Sequence, residues 1–258
     1  MTLQAPDFTQ FQLDRYSRQL RLDGFGIEGQ RRLRDAHVAI SRGGGVGGTV
    51  ASHLAMAGVG RLTVAHGGEI VPEYLNRMLL ANPKDVGRPC VDAFADSLAR
   101  INPDVEVTTY PEYVTDDNVL RIVGDADLIA DGAPLFEERY ALNKAAIKLG
   151  RPLVSGAMYD TEGYITTVLP GRTPCLLCLY PTKPPYWTDI KVFPAMSTAP
   201  GLVGAVMAME VIKVLTGFAE PLTNQMMFFD LRSNMSRLLK VARRPDCTVC
   251  SHLDDNDC

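Results

Sequence analysis

The chain lacks a basic excess and any long apolar run. Its 26 lysines and arginines are outnumbered by 30 aspartates and glutamates, a formal net charge of -4, so there is no cationic footprint for nucleic acid. No apolar stretch reaches bilayer-spanning length, and the opening MTLQAPDFTQ lacks the charged-then-apolar plan of a secretory signal. A cytoplasmic protein without a membrane partner is expected. Repeats and low-complexity linkers are missing too, and a composition 46% hydrophobic and 22% charged excludes a disordered class. The 258 residues suffice for one large domain or two small ones with a real core.

What is present begins with residues 38–48, Val-Ala-Ile-Ser-Arg-Gly-Gly-Gly-Val-Gly-Gly, an apolar run that breaks into five glycines before a helical pattern. In a βαβ nucleotide site, glycines permit a tight turn, close approach of backbone to phosphate, and packing of helix on strand. Gly44 and Gly47, with Gly45 between them, suit the last two tasks. The first glycine of such a G-x-G-x-x-G then falls on Arg42, whose side chain and φ preference do not suit a tight glycine turn. A glycine-rich packing turn with no ligand satisfies the same residues.

Apolar periodicity alternates strand and helix through the first two thirds. Helical spacing covers 8–22 and 27–33, followed by a strand at 38–41, a helix from 50, and a strand at 62–65. Helices at 91–101, 117–123 and 136–149 then alternate with strands at 105–109, 127–130 and 152–154. This order predicts an α/β fold with a doubly wound, mostly parallel sheet and ligands at the carboxyl ends of its strands. Residues 163–169 and 226–229 read as strands of a second, smaller C-terminal antiparallel sheet, with helix 201–215 between them. The corresponding divisions are 1–36, 37–160 and 161–258, integrated as one domain.

Four of the six cysteines form two C-x-x-C pairs, Cys175 with Cys178 and Cys247 with Cys250. Two tight knuckles of thiolates suit tetrahedral zinc, and a closed four-sulfur shell leaves no position open for catalysis. A structural zinc is expected, with two reduced or redox-active dithiols as the other reading. Trp187, Tyr180 and Tyr186, set among prolines, suit either a grip on a peptide tail or loop packing.

Arg15-Tyr-Ser-Arg-Gln19, the glycine turn, Asn76-Arg77, Asp85-Val-Gly-Arg-Pro89, Ile101-Asn-Pro103, Asp131-Gly132, Gly156, the two cysteine pairs, and Glu210-Val-Ile-Lys213 with Gly217 occur in a telling order. In that order the chain resembles the ThiF/MoeB/HesA proteins, the bacterial E1-like adenylyltransferases. The resemblance runs from about residue 12 to residue 250. It implies a homodimeric Rossmann-like fold, a structural zinc held by four cysteines, and MgATP-dependent adenylation of the C-terminal carboxylate of a ubiquitin-like carrier or a peptide.

Adenylation needs cations against the phosphates, a metal-binding acid and groups that fix the ribose. The resemblance places the ribose aspartate and the acid two residues on at His66 and Gly68, and the aspartate and asparagine before the retained Arg77 at Val71 and Tyr74. The phosphate lysine falls on Cys90, and the magnesium aspartate on Pro134, although Asp131 just before it remains. The crossover segment 181–200 contains no cysteine, which excludes thioester or persulfide chemistry there. Arg18 matches the arginine that reaches across the family's dimer to the partner's phosphates; without the resemblance, Arg15 and Arg18 read as a solvated helix face.

Three functional readings follow. The first is an E1-like subunit or scaffold that has lost conventional adenylation, so that ATP and Mg2+ use is not expected, and that pairs with itself or with an intact relative and a small carrier protein or peptide. The second is an adenylyltransferase rebuilt around Arg42, His66, Glu69 and Arg77. In the third, the frame serves another ligand or reaction.

Overall fold

In this computed structural model, residues 7–185 and 193–253 are described. The sequence 37–41 is buried at every position and forms the central strand β1 (His37–Ser41), as a parallel strand covered on both faces must be. β2 (Arg61–Ala65) pairs with it in parallel on one side and β3 (Glu106–Tyr110) pairs with β2, while β4 (Leu128–Asp131) pairs with it on the other side and β5 (Leu153–Tyr159) with β4. The strand order therefore reverses between β1 and β4, and a ligand crevice opens at their carboxyl ends.

The expected second sheet is corrected here. β6 (Glu162–Val168), β7 (Gln225–Asp230) and β8 (Met235–Lys240) continue the same sheet, whose order is β3-β2-β1-β4-β5-β6-β7-β8. The physical reason is the tight turn between β5 and β6, where Tyr159 pairs with Glu162 and Asp160 takes a left-handed φ of 57°. Such a turn folds the next strand straight back on the sheet edge, so direction switches to antiparallel without a break.

The two apolar helices α3 (Gly45–Ala57) and α8 (Thr198–Thr216) pack on each other and cover one face. α8 is long and apolar enough to cross a membrane by composition, but Ala199, Val203, Met207, Ala208 and Val211 are buried in the main core with Val50 and Leu54 of α3. α6 (Phe136–Leu149) and α5 (Val119–Val123) cover the other face, where the cysteines join the core.

Several of the short motifs are structural. Buried Asn102, after α4 (Cys90–Ile101), donates to the Tyr16 hydroxyl and the Ala55 carbonyl, and Gln19 donates to the Ala57 carbonyl, so α1 (Gln10–Arg15) and its following turn are tied to the end of α3. Buried Glu210 accepts from Thr167 Oγ1, Lys213 Nζ and the Leu222 amide, locking α8 to β6 and to the loop before β7.

Candidate functional site

The four cysteines converge from two distant knuckles, one running into the short helix α7 (Leu176–Leu179), the other at 247–250. Their sulfurs lie within 4.8 Å of one another, with Cys175 Sγ 3.6 Å from Cys247 Sγ and Cys178 Sγ 3.4 Å from Cys250 Sγ. Four sulfurs around a tetrahedral zinc, at about 2.3 Å each, stand about 3.8 Å apart, so this soft, all-thiolate cluster fits the ion. The Arg244 amide donates to Cys178 Sγ at 3.4 Å. Burial pushes the Cys247 thiol up, but the backbone N–H groups of Val249 and Cys250, together with the thiols of Cys250 and Cys175, bring its pKa down to about 7.

A cleft of about 220 Å³ opens at the reversal point, lined by Arg42, Gly44, Gly45, His66, Glu73, Arg77, Gly132, Pro134 and Phe193 among others. The glycine turn is read as packing at one end and open at the other. A Cβ on Gly47 would stand 1.9 Å from the Arg42 carbonyl oxygen, which only glycine permits. On Gly44, the N-cap of α3, a Cβ would meet nothing closer than 3.5 Å, so the backbone there faces open space with the first amides of a 13-residue helix beside it.

Arg42, the first-glycine position, has φ 61°, a conformation costly for an arginine. Its guanidinium donates from Nε and Nη2 to Glu138 of α6 at 2.8 and 2.5 Å and lies 3.5 Å from the centre of the Tyr113 ring. Arg77 Nη1 donates to the Glu73 carbonyl and to Asn76 Oδ1. Asp131 is brought to the end of β4 but not into the cleft lining. Its fully buried carboxylate accepts from Arg139 Nε, Ser155 Oγ and the Ala133 amide. Cys90 is buried at the start of α4, and burial pushes its thiol up to about 11.

His66 is 4% exposed, edge-on to Phe94 and Tyr113, and its Nδ1 has no partner. Burial, aided by the charge of Arg42, lowers its pKa to about 3. It is therefore neutral at physiological pH. Between pH 7 and pH 5 the unfolded ring gains a proton that the folded ring refuses, so stability falls as pH drops, by about 2 kcal/mol. Comparing urea unfolding of the unaltered chain with His66→Gln over that range tests this; the difference must shrink as pH falls, and a constant difference refutes it.

Arg18 is exposed and does not line this cleft, whereas Arg15 Nη2 donates to the Ile101 carbonyl at 2.5 Å and is no solvated face. A second cavity, of about 530 Å³, adjoins the first through Ala157 and Met158. Phe136, Tyr164, Tyr180, Met226 and Phe228 line it. Tyr186 and Trp187 lie outside the described residues. Sequence reasoning missed Glu138 and Tyr113, which lie far along the chain from Arg42, and Arg139, eight residues from Asp131; an arginine at a glycine position was the one signal that a carboxylate partner existed.

A model of the ThiF family matches residues 16–249. The chain belongs to the ThiF family. Among curated ThiF-family relatives, the heterocyst protein HesA of Trichormus variabilis is 40% identical over 246 residues, covering 95% of this chain and 91% of that protein. The sulfur carrier protein adenylyltransferase of Thermus thermophilus is 38% identical over 253 residues, covering 94% and 92%. The ThiF fold is seen in solved structures: E. coli MccB with ATP has a TM-score of 0.82 at 23% identity, covering 92% of this chain and 75% of that one. PaaA has a TM-score of 0.79 at 23% identity, covering 94% and 79%. The E1-like adenylyltransferase family is thereby established for this chain.

Proposed function

We propose that this ThiF-family chain has given up conventional adenylation and works as an E1-like subunit or scaffold for a small carrier protein or peptide. One observation carries the reading. Among the described residues lining the cleft, the only carboxylate is exposed Glu73, while both arginines, Arg42 and Arg77, already hold protein acceptors. MgATP needs a metal-binding acid and cations ready for the phosphates. Asp131, the remaining family acid, is committed to a buried pair with Arg139.

The aromatic second cavity supports binding of an extended tail, since Tyr and Phe offer large contact area at low entropic cost. Exposed Arg18 is then free to serve the cleft of a second chain, identical or intact. The four cysteines hold a structural zinc that anchors the C-terminal segment beside α6 and α7. The rebuilt-site reading is disfavoured because Glu138 neutralises the cation it depends on.

Isothermal titration with MgATP, and with AMP for comparison, tests the proposal together with ATP–pyrophosphate exchange. No binding at millimolar ATP and no exchange are expected. Micromolar binding with exchange overturns the reading.

A further inference from the structure

We infer that Arg42 is a gate over a base-stacking slot on Tyr113, and that Glu138 holds the gate shut. The inference rests on the proposed loss of nucleotide use and supplies a cause for it. It concerns a purine nucleotide as the excluded ligand.

In βαβ nucleotide sites the phosphates meet the glycine turn after the first strand, and the ribose sits at the end of the second. Here the loop leaving β2 is Gly67-Gly68, and Tyr113 lies against it: a Cβ on Gly67 would come within 3.1 to 3.2 Å of three Tyr113 ring carbons. The ring is therefore a flat platform where an adenosine moiety would lie. A planar guanidinium at 3.5 Å from its centre takes the place and spacing of a stacked base. Glu138 fixes it there with two charge-assisted bonds, and both side chains are largely buried, at 14% and 5% exposure.

Two further observations point to a slot for a polar ligand. His66, beside the platform, is 4% exposed yet leaves Nδ1 without a partner, as expected of a group whose hydrogen-bonding ligand is kept out. The N-terminal end of α3 at Gly44 and Gly45 lines the same cleft with room to spare at Gly44. Arg42, His66 and the α3 amides at Gly44 and Gly45 line one cleft, and Tyr113 lies at its edge, against Arg42 and edge-on to His66.

The gate makes a prediction opposite in sign to a phosphate-binding role for Arg42. Arg42→Gly suits the φ of 61° at that position and removes the plug, so AMP and MgATP should bind at least tenfold tighter than to the unaltered chain. Glu138→Ala, which keeps Arg42 but frees it, should give a smaller gain, and adding Tyr113→Leu to Arg42→Gly should abolish the gain. Titration calorimetry reads all of these, with circular dichroism and zinc content reporting folding.

If Arg42→Gly binds no tighter than the unaltered chain, or weaker, the gate is wrong; should that variant misfold, the sign of the change in Glu138→Ala decides. Micromolar ATP binding by the unaltered chain defeats the preceding functional reading and the shut gate with it, whereas a missing gain in Arg42→Gly defeats the gate and leaves that reading standing. The two failures are thus distinguishable.

Discussion

Stripping the metal, or replacing Cys247 and Cys250 together by serine, is expected to cost more stability than any other change to this chain. The tail knuckle at 247–250 is tied to the rest of the fold by Arg243, which donates to the Gly171, Cys250 and Leu253 carbonyls, by Val249 and Leu253 packed on the core beneath α6, and by the sulfurs themselves. Structural zinc contributes on the order of 10 kcal/mol in small zinc-binding peptides. Part of that is reproduced here, because the cluster joins the core beneath α6 rather than an independent module. Without the ion, burial drives Cys175 and Cys250 toward neutral thiols, and two C-x-x-C pairs are left packed with nothing to bind. The expected result is about one zinc per purified chain by mass spectrometry, and a melting temperature lowered by 10 °C or more, roughly, in the double serine variant. Metal-free protein with an unchanged melting temperature would sink the assignment.

Arg139→Met is expected to be the most damaging substitution outside the zinc cluster, costing about 3–5 kcal/mol, because it strands a buried carboxylate. Asp131 is fully buried and Arg139 is 2% exposed. Nε reaches Asp131 at 3.2 Å and Nη2 reaches Ser155 Oγ at 2.9 Å, while Phe136 and Tyr164 stack over the guanidinium. Burial pushes the guanidinium pKa down, but Tyr164 and Asp131 more than offset it, so the cation is secure. Pairing Arg139→Met with Asp131→Asn removes both charges and should recover part of the loss, as measured by urea denaturation in a double-mutant cycle. A cost below about 1 kcal/mol for Arg139→Met would show that the pair is not the buried pillar its geometry describes. The test also bears on the cleft: an aspartate needed to satisfy Arg139 is not available to hold a magnesium ion.

The alternation of strands and helices on the parallel side was legible because β1, β2 and β4 are short apolar runs, while β3, Glu106–Tyr110, shows only as a β-branched stretch. His37–Ser41 and Leu128–Asp131 differ from their expected bounds by a residue. Strand β8 was missed for a physical reason: Met235–Lys240 is an edge strand, largely exposed along its length, so no burial pattern marks it. The false second sheet arose from reading a change of strand direction as a change of layer, which the turn at Asp160 contradicts. At the site, the cysteine cluster was legible because ligand spacing is local. The Arg42 partnership was not, since Glu138 sits 96 residues away and nothing in its own helix singles it out.

The left-handed turn at position 42 has one more consequence, for heredity. Every arginine codon lies a single base change from a glycine codon, so a glycine in that turn is directly accessible. An open nucleotide slot is therefore within one point mutation of the shut one. A population carrying this gene would sample that variant continually, and the ligand-binding form need not be invented, only released.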